Sequence, residues 1–127
     1  RCGCGSTGHL ETLASADHIE RKAAREGLPG DFRSLWQIRD DKRAEVLISS
    51  ALETMARGIA SLIVVLDPEK IILSGGMSKA EGIAEELEAR TLPWLPLPMR
   101  DHLSIEVSSL GADAGLYGAA SISLLRR

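Results

Sequence analysis

Residues 67–78 read DPEKIILSGGMS, and this stretch decides the fold. Residues 70–74 (KIILS), apolar at 71–73, predict a short buried strand, the pair Gly75-Gly76 ends that strand, and a helix is expected from about residue 80 to residue 90. A strand that passes through glycines into a helix lets a ligand phosphate meet bare backbone N–H groups. The stretch lacks the Lys and Ser/Thr signature of a P-loop, and two glycines after a strand can also form a plain turn. Nucleotide binding and a structural turn are therefore both open at this point.

The segments before this stretch are predicted to be helical. Helices are expected over about residues 9–27, with Ser15 as an N-cap inside the segment, and over one or two turns within residues 31–40. A long helix is expected over about residues 41–66. Its last turns are apolar all round, so we expect the helix to enter the core towards its end. The predicted core stripe consists of Leu47, Ala51, Met55, Ile59, Ile63 and Leu66.

The segments after residue 90 predict a second strand and a last helix. Residues 91–100 contain prolines 93, 96 and 98, which predict an extended, polyproline-like segment anchored by Trp94 and Leu95. Apolar and polar residues alternate over 103–108, as in a half-buried strand. A final helix with a face of small residues is expected to end near residue 127. This order of helices and strands is typical of the α/β class.

Composition excludes several functional classes. The chain has 127 residues, 44% hydrophobic and 26% charged, and a formal net charge of −3. These values predict one folded domain without a basic surface for nucleic acid. We found no apolar run of the ~20 residues that a membrane helix needs and no secretory leader, so we expect a cytoplasmic protein without a membrane span. A dense motif directly at Arg1 suggests a piece of a longer protein.

The dense motif at the start contains both cysteines. Cys2, Cys4 and His9 offer two thiolates and an imidazole, which are good zinc ligands, and the glycines between them let the chain wrap around a metal. A closed site needs a fourth ligand, so two free thiols in a flexible loop is the alternative. A disulfide between residues so close in sequence would be strained. Glu11 can accept hydrogen bonds from sugar hydroxyls or serve a helix N-terminus.

Taken together, these segments resemble the C-terminal part of the ROK family, which contains bacterial sugar kinases and sugar-responsive repressors. Residues 2–11 (CGCGSTGHLE) resemble the family signature C-x-C-G-x-x-G-C-x-E, and residues 13–16 (LASA) resemble the small-residue run that follows it. Residues 67–78 resemble the D-P-x-x-I-x-L-G-G-G segment of the ATP-binding core, and residues 111–120 (GADAGLYGAA) resemble the closing G-x-x-A-G-x-x-G-A-A helix. His9 stands where the family has its third cysteine.

The resemblance implies the C-terminal lobe of an actin/hexokinase-like (ribonuclease H-like) ATPase fold. In that case residues 1–127 form a single domain, made of a Cys-x-Cys loop (1–9), a helical segment (10–66) and an α/β core (67–127). The family's phosphate loop, its catalytic base and its E-x-G-H sugar motif all precede this segment. The resemblance therefore implies no catalytic residue in this chain and no kinase activity from the chain alone.

The resemblance also implies ligands and site residues. Gly75, Gly76 and Met77 would approach ATP, which acts with Mg2+ in the parent protein, and Glu11 and His9 would contact the sugar. Cys2, Cys4 and His9 would bind zinc, incompletely, because the family's remaining ligand is a histidine that precedes this segment. The parent would phosphorylate a hexose or an N-acetyl-hexosamine. The alternatives are the effector-binding lobe of a ROK repressor and a free-standing α/β module, and a homodimer is expected in each case.

Overall fold

The computed structural model describes residues 2–125, in which helices predominate over strands. The helices are α1 (Glu11–Ala14), α2 (Ala16–Arg25), α3 (Phe32–Gln37), α4 (Lys42–Leu66), α5 (Ile83–Thr91), α6 (Leu97–Arg100) and α7 (Ala114–Leu125). Short 3₁₀ turns cover Met77–Lys79, Leu92–Trp94 and Gly111–Asp113. The strands β1 (Ile71–Leu73) and β2 (Ile105–Val107) pair in parallel, with Ile71 opposite Ile105 and Leu73 opposite Val107.

Helix α4 forms the centre of the core. It begins after Asp41, whose carboxylate accepts a hydrogen bond from the backbone N–H of Arg43 at 2.8 Å. Helices α5, α1, α2 and α3 pack against it, and α5 also packs against β2. The largest fully buried side chains of the described residues are Ile19, Leu35, Leu52, Ile83, Leu87 and Thr91. The predicted α/β class is thus observed, with one helical layer against a small parallel sheet.

The first predicted helix is divided at Ser15. Ser15 has an extended backbone, and its hydroxyl accepts a hydrogen bond from the N–H of His18 at 3.2 Å, which makes it the N-cap of α2. The predicted cap is therefore confirmed. Ile19 lies in the core, whereas Leu10 and Leu13 of the preceding turn are exposed, because α1 covers only the flank of α4 near Gly58.

The end of α4 lies at the surface, and our prediction that it enters the core was wrong. Leu66, expected in the core stripe, is 67% exposed, and Val65 is 77% exposed. Burial depends on what packs against a face, and the neighbouring helices cover one side of these turns only. Among the described helices, α4 alone is long and apolar enough to cross a membrane. Its buried face makes it the core helix of this domain, and core helices often share those properties.

Residues 91–100 are not extended as predicted. They form the 3₁₀ turn Leu92–Trp94 and the short helix α6, each with a proline in its first two positions. Proline fits there because the first N–H groups of a helix have no intrahelical partner. Leu95 is buried as predicted, whereas Trp94 is about half exposed.

The sheet is more exposed than the sequence suggested. Strand β1 was predicted to be buried, but Ile72 is exposed, because the core packs against the opposite face of the sheet, which carries Ile71 and Leu73. Lys70 and Glu106 join the strands on the surface through an ion pair of 2.6 Å. The described side chains of α7 are mostly exposed, and the predicted end of that helix at residue 127 lies outside the described residues. The glycine pair lies beyond the carboxyl end of β1, after Ser74.

Candidate functional site

Backbone hydrogen bonds hold the N-terminal loop in a compact conformation. The N–H of Cys2 donates to the carbonyl of Ser6 at 2.8 Å, and the N–H of Gly5 donates to the carbonyl of Cys2 at 2.9 Å. Gly5 has a φ of 92°, in the left-handed region that favours glycine. These turns fold the chain back on itself, so that side chains several residues apart in sequence come into contact.

These turns bring the predicted metal ligands together. One ligand atom each of Cys2, Cys4 and His9 lies within 4.8 Å of the others. Cys4 Sγ lies 3.4 Å from His9 Nδ1, and Cys2 Sγ donates a hydrogen bond to Glu11 Oε2 at 3.4 Å. Cys2 is buried, whereas Cys4, His9 and Glu11 are exposed. Cys2, Cys4, His9 and Glu11, which the sequence singled out, thus form one group at the start of α1, named the Glu11 cluster below.

The donor set suits zinc, although it is incomplete. Two ligand sulfurs in a tetrahedral zinc site lie about 3.8 Å apart, so a small contraction would bring these atoms to ligand distances. The described residues supply three ligands to this group, and a closed structural site needs four. The Cys2 thiol also contacts the Glu11 carboxylate, so metal binding by Cys2 would change the surroundings of that carboxylate.

The glycine pair forms a bare backbone turn. Gly75 has a φ of 92°, and the hydroxyl of Ser78 donates a hydrogen bond to the Gly75 carbonyl at 2.8 Å. This hydrogen bond stabilises the turn. Within residues 2–125, the N–H groups of Gly75 and Gly76 donate to no protein acceptor. The side chain of Met77 packs on the core, so only its backbone faces the turn. The turn can therefore offer N–H groups to an anionic ligand.

The glycine turn lies against the start of α2. A Cβ built on Gly76 would lie 3.9 Å from Cβ of Ala16, which is ordinary van der Waals contact. Ala16 follows Glu11 by five residues and follows the Ser15 cap directly. The glycine turn therefore packs against the segment that follows the Glu11 carboxylate in sequence, although Glu11 and Gly75 are 64 residues apart.

The sequence analysis missed a cleft that includes residues 79–82, which follow the glycine turn in sequence. It has a volume of about 370 Å³ and lies between α3 and residues 79–82. Its walls carry the cations Arg33, Arg39 and Lys79, and the indole N–H of Trp36 donates to the carbonyl of Glu81 at 2.9 Å. Residues 33, 36 and 37 share one face of α3 by helical spacing, and this spacing is the sequence feature that could have indicated a common surface.

Asp31 caps the start of α3. The backbone N–H of Ser34 donates to the Asp31 carboxylate at 2.8 Å, and this hydrogen bond lowers the pKa of Asp31. The Arg39 guanidinium lies 5.1 Å from the centre of the Trp36 ring. The indole is therefore held between a cation and the backbone of the segment that follows the glycine turn, and it joins α3 to that segment.

Comparison with known proteins supplies relatives over nearly the whole chain. The sequence model of the ROK family matches residues 1–125. The N-acetylmannosamine kinase of Haemophilus influenzae is 32% identical over 121 residues, which are 94% of this chain and 39% of that protein. The chain spans about two fifths of the length of the N-acetylmannosamine kinases it matches.

Solved structures agree with this match. The ROK hexokinase of Thermus thermophilus is 36% identical, with a TM-score of 0.75 over 94% of this chain and 41% of that one. A ROK glucokinase of Streptomyces griseus, in complex with glucose and AMPPNP, is 25% identical, with a TM-score of 0.78 over 95% and 46%. A ROK transcriptional regulator at 23% identity and a TM-score of 0.67 shares the fold. The predicted actin/hexokinase-like fold is thus confirmed.

Proposed function

This chain belongs to the ROK family, and we propose that it is the C-terminal lobe of an ATP-dependent sugar kinase whose substrate is a hexose or an N-acetyl-hexosamine. The observation that carries the proposal is the packing of the glycine turn against Ala16, in the segment that directly follows the Glu11 cluster. Phosphoryl transfer requires a nucleotide and an acceptor hydroxyl to be held side by side. A nucleotide-binding element and a sugar-binding element would both be needed for this, and the glycine turn and the Glu11 cluster are proposed to supply them.

The glycine turn is proposed to bind ATP, with Mg2+ as the usual companion of its phosphates. Support comes from the free N–H groups of Gly75 and Gly76, with the backbone of Met77 beside them, and from the cationic cleft of Arg33, Arg39 and Lys79. Backbone N–H groups and fixed cations together suit a polyphosphate. The S. griseus relative binds AMPPNP, an ATP analogue.

The Glu11 cluster is proposed to bind the sugar. Glu11 is an exposed carboxylate that can accept hydrogen bonds from sugar hydroxyls, and His9 lies beside it. Cys2, Cys4 and His9 would hold zinc and thereby fix the loop that presents Glu11, with an affinity limited by the missing fourth ligand. The zinc would be structural and would supply no chemistry to the transfer step.

A repressor lobe is the alternative function, and only the shared fold favours it. A repressor would keep the sugar site and have no use for ATP. Nucleotide binding at the glycine turn and the cleft would therefore separate the two functions, because we propose that both features serve a nucleotide. We favour the kinase for that reason, and we propose that the protein is cytoplasmic, has no membrane span, contacts no nucleic acid through this domain and forms homodimers.

Nucleotide binding is the direct test. A fluorescent ATP analogue is titrated into the 127-residue chain and into Gly75→Ala, and we expect saturable binding that the substitution weakens about tenfold. Gly27→Ala is the matched control, since Gly27 also has a positive φ of 72° and open space around an added Cβ. Equal effects of the two substitutions, or no saturable binding, would contradict the proposed nucleotide site.

Catalysis is tested separately. In a coupled assay for ADP release, the chain alone should give no sugar-dependent turnover, because it contains no residue proposed as catalytic. The same assay on the full-length protein that carries this lobe should give turnover with a hexose or N-acetyl-hexosamine, and Glu11→Gln should lower it mainly through KM. Turnover by the chain alone would refute the proposal that it is inactive by itself.

A further inference from the structure

The indole of Trp36 connects two segments that are far apart in sequence. Trp36 is buried, with 6% of its surface exposed. Its Nε1–H donates a hydrogen bond to the carbonyl of Glu81 at 2.9 Å, across 45 residues of sequence. A buried indole N–H requires such a partner, because an unpaired polar group in the interior loses its hydrogen bonds to water without replacement. This hydrogen bond therefore restrains residue 81 relative to α3.

Glu81 ends a short segment that begins at the glycine turn. The 3₁₀ turn Met77–Lys79 starts directly after Gly76, whose carbonyl accepts a hydrogen bond from the N–H of Lys79 at 3.4 Å. Helix α3 packs against this 3₁₀ turn. The next residue, Ala80, is buried in the core. Because each of these contacts restrains the same few residues, a restraint on Glu81 also restrains the glycine turn.

Trp36 also restrains one of the cations of the cleft. The Arg39 guanidinium lies 5.1 Å from the centre of the Trp36 ring, and Arg39 Nη1 donates to the Trp36 carbonyl at 3.2 Å. A guanidinium above an aromatic face is attracted by the ring, so these two contacts order a long and otherwise mobile side chain. A group that is ordered before a ligand arrives loses less entropy on binding.

We propose that Trp36 is a positioning residue of the nucleotide site, which holds the glycine turn and Arg39 in the arrangement that binds the phosphates. This inference rests on the proposed ATP site and deepens it. Because the indole is buried, Trp36 acts through Glu81 and Arg39 and does not stack on the nucleotide. Backbone N–H groups and cations that are already in place bind an anion more tightly than mobile ones.

Trp94 provides a matched control, because its indole makes the same kinds of contact elsewhere in the molecule. Trp94 Nε1 donates to Glu53 Oε1 at 3.1 Å, and the Arg57 guanidinium lies 4.3 Å from the centre of the Trp94 ring. Trp94 is not among the described residues that line the cleft. The substitutions Trp36→Phe and Trp94→Phe each keep an aromatic ring and remove an indole N–H. A general effect of that loss would therefore appear in both variants.

Nucleotide affinity and hydrogen exchange compare the two variants. In a titration with the fluorescent ATP analogue, we expect Trp36→Phe to bind about tenfold more weakly than the unchanged chain, since a buried hydrogen bond is lost. Trp94→Phe should bind as the unchanged chain does. Without nucleotide, amide hydrogen exchange followed by mass spectrometry should be faster at residues 77–83 in Trp36→Phe and unchanged there in Trp94→Phe. Circular dichroism verifies that both variants are folded.

Tryptophan fluorescence gives a readout that does not require Trp36→Phe to fold. The chain has two tryptophans, so Trp94→Phe leaves Trp36 as the only one. Its emission should change saturably on addition of AMPPNP, because bound phosphates alter the surroundings of Arg39 and of the segment that ends at Glu81.

Three results would overturn the positioning role and leave the nucleotide site standing. The first is equal nucleotide affinity of the two variants, and the second is exchange at residues 77–83 that Trp36→Phe leaves unchanged. The third is Trp36 emission that stays constant while the fluorescent analogue binds. No saturable binding by the unchanged chain would overturn both the nucleotide site and the role of Trp36 in it.

Discussion

Substitutions at the two ends of α4 test where its core face ends. Leu52 is completely buried, and Leu66 is 67% exposed, although both belong to an apolar helix. Leu52→Ala removes about 2 kcal/mol of transfer free energy and leaves a cavity, so we expect a loss of about 3 kcal/mol. At Leu66 the same truncation removes side-chain area that is mostly in water already, and no cavity forms. The expected loss there is below about 1 kcal/mol.

Urea unfolding followed by circular dichroism measures both free energies. The chain concentration is kept low enough for the protein to be monomeric, so that association does not add to the stability of either variant. The expected difference of about 2 kcal/mol corresponds to a factor of about 30 in the unfolding constant. A loss at Leu66 as large as that at Leu52 would refute the conclusion that the last turn of α4 lies at the surface.

Three further substitutions test other parts of the molecule. Ser15→Ala removes the cap of α2 and should cost about 1 kcal/mol in the same urea experiment, because the N–H of His18 loses its acceptor. The hydrogen bond from Lys70 lowers the pKa of Glu106 below its ordinary value of 4.5. The pair therefore stabilises the fold above pH 4.5, and this stabilisation is lost as the pH falls through the lowered pKa. The stability difference between the unchanged chain and Glu106→Gln should therefore shrink on acidification; a constant difference would contradict this. Competition with a chromophoric chelator should detect at most one weakly bound zinc per chain and none in Cys4→Ser, and an unchanged zinc content would exclude this ligand.

Most helices and both strands could be predicted, because their signals are local. The Ser15 cap and the glycine pair after β1 each depend on a few neighbouring residues, and each was found where the sequence predicted it. The prolines of residues 91–100 misled the prediction. Proline is compatible with an extended chain and equally with the first turn of a helix, and the local sequence does not distinguish these two uses.

The candidate site could be predicted only as separate parts. The Glu11 cluster and the glycine turn were both identified by their residue types. The cationic cleft of α3 was not, since Arg33 and Lys79 are ordinary surface residues until the Trp36 indole joins α3 to the segment after the glycine turn. Contacts between residues this far apart in sequence depend on how the helices pack.

The sequence by itself determined most of the elements, the family, and the residue types of the Cys2–Glu11 segment and the glycine turn, because hydrophobic periodicity, capping residues and motif spacing act over a few residues. The tertiary structure alone decided which apolar surfaces are buried. Leu52 and Val65 belong to the same apolar helix, but only the first has neighbours on its side. It also decided that Gly76 meets Ala16, because that contact depends on the packing of α2 against the core. Burial and convergence are properties of packed elements, and packing is set by the whole chain.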